Sequence, residues 1–164
     1  MNKVEHLLHV ENKLGEGPVW SQSERALYWV DILEHKIYRF FPATGQSDIF
    51  EVSLPITLLA FRASGGFVTA TNNRLAFWEP QSQNFDFIAD LETDNPDIRF
   101  NDGAVDPKGR LWVGTMNEKV NQAPDGVLYR LDSDLSVNRI ASGFTVSNGM
   151  KAMIQPRFIQ IQRI

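Results

Sequence analysis

One pattern recurs along the chain about every forty residues: a turn signal, an apolar run, a second turn and a second β-rich run. Leu27-Tyr28-Trp29-Val30, Phe67-Val68-Thr69-Ala70 and Leu111-Trp112-Val113-Gly114 hold equivalent places in it. Each follows polar or Gly/Pro-containing residues (Ser21-Gln22-Ser23-Glu24, Ser64-Gly65-Gly66, Asp106-Pro107-Lys108-Gly109) and precedes a second run at 36–41, 74–78 or 126–131. A period of roughly 40 to 50 residues built from four short strands predicts β-propeller blades, since such a sheet buries its faces only by stacking on its neighbours. A β-sandwich also spaces strands by regular turns. The long period favours the propeller. Closed propellers have roughly four to eight blades, and this chain has sequence for about three.

The finer pattern predicts an all-β chain without helix. Apolar and polar residues alternate with period two between clusters of Gly, Pro, Asn and Asp. The first unit is expected to hold strands at 26–31, 36–41 and 47–54. The second holds 57–62, 66–70, 74–79 and 85–89, and the third 103–105, 110–115, 126–131 and 137–141. Residues 90–96 and 117–125 read as polar loops. The four tryptophans (Trp20, Trp29, Trp78, Trp112) lie in or beside strands and are expected in the core.

Composition narrows the function classes. At 43% hydrophobic and 22% charged residues, the 164-residue chain lies in the ordinary globular range. A net charge of −4 with no Lys/Arg block gives no footprint for nucleic acid or an anionic membrane surface. There is no cysteine, which excludes disulfides and thiolate-bound zinc. The first residues have no signal-peptide apolar core, and no run has the ~20 apolar residues of a membrane span, so the expectation is a soluble cytoplasmic protein. His6, His9 and His35 lack metal-ligand spacing and read as structural or solvated. No Gly-x-Ser-x-Gly elbow, P-loop or dinucleotide fingerprint occurs.

Three short segments can carry chemistry. Gly15-Glu16-Gly17-Pro18 displays one carboxylate between two glycines, suited either to a hard cation, which takes oxygen ligands, or to a solvated turn. Arg99-Phe100-Asn101-Asp102-Gly103 crowds a cation, an amide and a carboxylate at a predicted loop-to-strand junction, and also reads as an Asn-Asp-Gly turn. Ser147-Asn148-Gly149 alone is a turn signal. Glu16, Asn101 and Asn148 are spaced by about two blades and then one. Equivalent propeller loops open on one mouth of the central channel, so the three side chains are expected to converge there.

At these residues the chain resembles the regucalcin / senescence-marker / gluconolactonase family. The resemblance is carried by Leu14-Gly15-Glu16-Gly17-Pro18-Val19-Trp20 and the run from Arg99-Phe100-Asn101-Asp102-Gly103 through Leu111-Trp112-Val113-Gly114-Thr115-Met116. Gly126-Val127-Leu128-Tyr129-Arg130-Leu131 and Ser147-Asn148-Gly149 follow in the family's order. It implies a six-bladed β-propeller, of which residues 1–150 supply about the first three blades. It further implies one divalent cation (Ca²⁺, Zn²⁺, Mn²⁺ or Mg²⁺) in the channel and hydrolysis of sugar lactones. By motif, Glu16 and Asn148 would be metal ligands, Arg99 and Asn101 substrate contacts, and Glu118 a further acidic substrate contact, one position out of register with some relatives. The family's general-base Asp is expected beyond the end of this chain, so no catalytic residue is assigned. The alternative to a lactone hydrolase is a non-catalytic propeller fragment that binds calcium or acts as an interaction module.

Residues 151–164 depart from the family pattern and read as out-of-frame translation. Ile154-Gln155-Pro156-Arg157, shifted by one nucleotide, can encode the expected Phe-Ser-Pro-Asp turn. A short variant or a misplaced gene boundary is the alternative. Three blades of six would leave two sheet faces bare, so impaired activity and self-association are expected.

Overall fold

The computed structural model describes residues 4–91, 95–119 and 124–150. The tail at 151–164, including the expected frameshift, lies outside the described residues. Twelve strands occur in chain order and no helix among the described residues. They are β1 (Gly15–Ser21), β2 (Ala26–Asp31), β3 (Lys36–Phe41), β4 (Gln46–Glu51), β5 (Ile56–Phe61), β6 (Phe67–Thr71), β7 (Arg74–Trp78), β8 (Phe85–Asp90), β9 (Ile98–Val105), β10 (Leu111–Asn117), β11 (Gly126–Leu131) and β12 (Val137–Phe144). Each run of four forms one antiparallel sheet in sequence order: β1–β4, β5–β8 and β9–β12. Three separate meander sheets exclude the two-sheet sandwich and match an open, partial propeller.

The sheets stack because their strands are two-faced. In the middle sheet, Ile56, Leu59, Phe67 and Trp78 pack with Tyr28, Val30 and Ile37 of the first sheet. The alternate positions Leu58, Ala60, Val68, Leu75 and Phe77 pack with Phe100, Leu111, Val113 and Leu131 of the third. Alternation thus sends neighbouring residues into different cores, interrupted only where a register shift falls between Ile56 and Leu58. It explains why β6 (Phe67–Thr71) is buried at every position while the outermost strands β4, β8 and β12 have no fully buried position. Full burial of a Leu, Ile or Phe contributes about 1.5–3 kcal/mol, so the middle sheet holds the other two.

The first strands of the three sheets lie side by side, β5 touching both β1 and β9. All three carry a register irregularity. Against β2, it falls between Glu16 and Val19. Against β6, it falls between Ile56 and Leu58. In β9, Phe100 faces Thr115 and Gly103 faces Val113, so Asn101 and Asp102 together stand opposite Gly114. Such bulges bend a strand and redirect side chains.

These bulges correct two sequence expectations. Residues 15–21 form a full strand, because the bulge absorbs Gly17-Pro18, with Gly17 at φ +57°. The third sheet's first strand begins at Ile98, not 103, so Arg99 to Asp102 lie inside a strand. Strand β10 likewise runs on to Asn117, which is buried.

Candidate metal and substrate site

A cavity of about 500 Å³ opens where β1, β5 and β9 meet. Its lining includes Glu16, Trp20, Leu58, Asp102, Gly103, Asn148 and Met150. Glu16 and Asn148 come from opposite ends of the described chain and reach one space. Trp20, expected in the core, is 38% exposed and lines this cavity instead.

Glu16 is delivered by a braced strand start. Asp31, 1% exposed, accepts hydrogen bonds from the backbone N–H groups of Lys13 (2.8 Å), Leu14 (3.1 Å) and Glu34 (3.2 Å) and from Asn12 Nδ2 (3.3 Å). Burial pushes its carboxyl upward, and these donors outweigh it and hold it below the usual carboxylate range. Asn12 also accepts from the Trp29 indole N–H at 2.9 Å. Residues 12–14 are thereby fixed just ahead of β1. Among the described residues, the Glu16 carboxylate has no hydrogen-bond or ion-pair partner and is left to the cavity.

Asn148 is placed by the segment after β12. Ser147 Oγ donates to the Thr115 carbonyl at 2.9 Å, and Asn101 Nδ2 donates to the Ser147 carbonyl at 2.8 Å. Val146 bridges to Met116. The Met150 N–H donates to Asp102 Oδ2 at 2.9 Å, and Gly103 N–H donates to Asp102 Oδ1 at 2.7 Å. Glycine at 114 makes this docking feasible: a Cβ there would lie 2.3 Å from Ser147 Cβ and 2.5 Å from its Oγ.

Arg99, Asn101 and Glu118 form a cluster beside the cavity rather than part of its lining. Arg99 donates through Nη1 to the Phe100 carbonyl (2.8 Å) and Asn101 Oδ1 (2.9 Å), and through Nε to Glu118. Its side chain is only 13% exposed, whereas that of Glu118 is 56% exposed. Both ends of the Asn101 amide are engaged, one by Arg99 and one by Ser147, which joins this cluster to the Asn148 segment. The residue missed by sequence reasoning is Asp102. It was visible as a carboxylate in the motif, but its link to Met150 spans most of a sheet and leaves no local pattern.

The donor chemistry fits a hard cation in kind. Glu16 offers a carboxylate, and Asn148 offers an amide oxygen that accepts one bond from Gly149 N–H (2.8 Å) and keeps a second lone pair. Among the described residues, no three or more His, Cys, Asp or Glu side chains are grouped so as to hold a metal ion by themselves. Two protein donors would leave the remaining positions of a cation open to water, substrate or further residues.

The sequence pattern of the SMP-30/Gluconolactonase/LRE-like region matches residues 14–154. Regucalcin of Xenopus laevis is 36% identical over 152 residues, covering 90% of this chain and 51% of that protein. A 6-deoxy-6-sulfogluconolactonase of Pseudomonas putida is 34% identical over 137 residues, covering 84% of this chain and 47% of that enzyme. The crystal structure of a calcium-binding regucalcin from Agrobacterium tumefaciens superposes with a TM-score of 0.78 at 26% identity, covering 85% of this chain and 47% of that one. The chain therefore spans about half the length of the relatives it matches. No helix among the described residues is long and apolar enough to cross a membrane. The chain belongs to the SMP-30/gluconolactonase/LRE-like family.

Proposed function

We propose that this chain carries part of a divalent-metal-dependent sugar-lactone hydrolase site, with Glu16 and Asn148 holding one cation (Ca²⁺, Zn²⁺, Mn²⁺ or Mg²⁺). The observation that carries the reading is the meeting of an unpartnered carboxylate from β1 and an amide from the segment after β12 on one cavity. When bound, the cation would supply Lewis-acid polarisation of the lactone carbonyl. Arg99 supplies guanidinium donors beside the cavity, and Glu118 orients them while offering its own oxygens to sugar hydroxyls. Asn101 ties this pair to the Asn148 segment and contacts substrate through the second N–H and second lone pair that those two bonds leave open. No residue of the chain is assigned as the base that activates water.

The test is acid release from glucono-δ-lactone, with chelator and with metal restored. Hydrolysis should need metal, and Glu16→Gln should lower it by on the order of a hundredfold, the usual cost of removing one transition-state electrostatic contact. Turnover that survives both chelation and Glu16→Gln would refute the reading. A second reading, calcium binding without turnover, draws on the description of the Agrobacterium relative as a calcium-binding protein. Saturable calcium binding by a chain that hydrolyses no lactone would favour it.

A further inference from the structure

We infer that Asp102 is a positioning residue whose carboxylate clamps the segment carrying Asn148 and thereby sets the shape of the proposed cation site. The β9 bulge is the device. An unbroken ladder would alternate side chains between core and outer face. Doubling Asn101 and Asp102 opposite Gly114 keeps Phe100 fully buried in the core and turns Asp102 into the cavity. The two bulge residues then grip the same segment on either side of Asn148. Asn101 donates to the carbonyl of Ser147, before it, and Asp102 accepts from the N–H of Met150, after it.

Only a carboxylate does both jobs at position 102. Its Oδ1 takes the Gly103 amide and its Oδ2 takes the Met150 amide. An asparagine has one acceptor oxygen and would turn its NH₂ donors toward the other N–H. Hydrogen bonds to an ionised acceptor are about twice as strong as neutral ones, so this contact is the strongest of the segment's anchors. Asn148 and Gly149 are otherwise exposed, with Gly149 at φ +69°, and the two grips lie on either side of them.

The inference deepens the metal-site reading and rests on it for its consequence, but the clamp itself can be read without metal. Amide hydrogen exchange on the metal-free 164-residue chain should show the Met150 N–H protected, with Asp102→Ala speeding its exchange about tenfold or more. Exchange at the core amides of Val113 and Leu59 should be unchanged. Asp102→Asn should release one of the two amides and fall between. A second readout is terbium luminescence sensitised by Trp20, which lines the same cavity. Tb³⁺ affinity should fall about tenfold in Asp102→Ala, with Asp102→Asn again intermediate. Met150 exchange equal in wild type and both variants overturns the clamp, even if Tb³⁺ affinity falls, since Asp102 would then act as a ligand. If wild type shows no Tb³⁺ binding while Met150 responds as expected, the clamp holds and the metal-site reading fails.

Discussion

Replacing Gly114 by alanine is the sharpest perturbation of the site's architecture. Gly114 lies in β10 opposite the Asn101–Asp102 bulge, with ordinary strand dihedrals, so an added methyl acts through space alone. That methyl would sit 2.3 Å from Ser147 Cβ, whereas carbon atoms pack at about 3.5–4.0 Å, so the segment around residue 147 must move by more than about 1 Å. The displacement breaks the Ser147 and Asn101 hydrogen bonds, each contributing about 1 kcal/mol, and the Met150–Asp102 bond, contributing about 1.5–3 kcal/mol. Freed residues regain about 1–2 kcal/mol each of backbone entropy. The net loss of global stability is therefore limited to about 1–3 kcal/mol, and the damage concentrates at the site. Backbone NMR should show shifts confined to residues 99–103, 114–116 and 145–150, with the amides of Leu59 and Trp78 unmoved, and cation affinity should fall at least about tenfold. Gly45→Ala is the control. Its Cβ meets nothing, and its left-handed backbone at φ +73° costs about 1–2 kcal/mol, so it should lower stability without touching the site. A Gly114→Ala chain with unshifted Ser147 and Asn148 amides and full cation affinity would refute the reasoning.

The remaining expectations concern the frame around the site. Leu59→Ala should cost about 2–5 kcal/mol in urea unfolding, because Leu59 is 1% exposed in the core shared by the first two sheets; Ile140→Ala, at 43% exposure, should cost under about 0.5 kcal/mol. Asp106 gives a pH dependence. Burial raises its carboxyl, but Arg110, Trp112 and the Arg110 and Lys108 N–H groups outweigh burial and push it down to about 2. The unfolded value is near 3.9. The stabilisation, about 2 kcal/mol, is therefore complete above about pH 5 and is lost as pH falls through 4 toward 2. Asp106→Asn should flatten stability across that window, and an unchanged acid limb in urea titrations would contradict the assignment. Ile49, Phe87, Ile140 and Phe144 leave apolar surface on outer strands. Sedimentation is expected to show concentration-dependent association, and a monomer at every concentration would argue against it.

Much of this was legible because parity is written residue by residue. The alternation in β3 and β11 fixes both strands at the bounds the sequence predicts, and the continuous apolar runs of β5 to β7 announce a sheet buried on both faces. The bulged strands were harder. Gly17-Pro18 and Asn101-Asp102-Gly103 have turn chemistry, and only cross-strand pairing turns such residues into a bulge within a strand. The convergence of Glu16 and Asn148 followed from the repeat, since it depends on where sheets point their ends. The Asp102–Met150 contact, and the withdrawal of Arg99 and Asn101 into a cluster beside the cavity, depend on side-chain geometry that no spacing encodes.

The central claim is that Glu16 and Asn148 hold one cation together. Calorimetric titration with calcium tests it on the wild-type chain, Glu16→Gln and Asn148→Ala. The account predicts saturable binding at one site, at least about tenfold weaker in each variant, while all three chains unfold at the same urea concentration. Equal calcium affinity in wild type and either variant would contradict it.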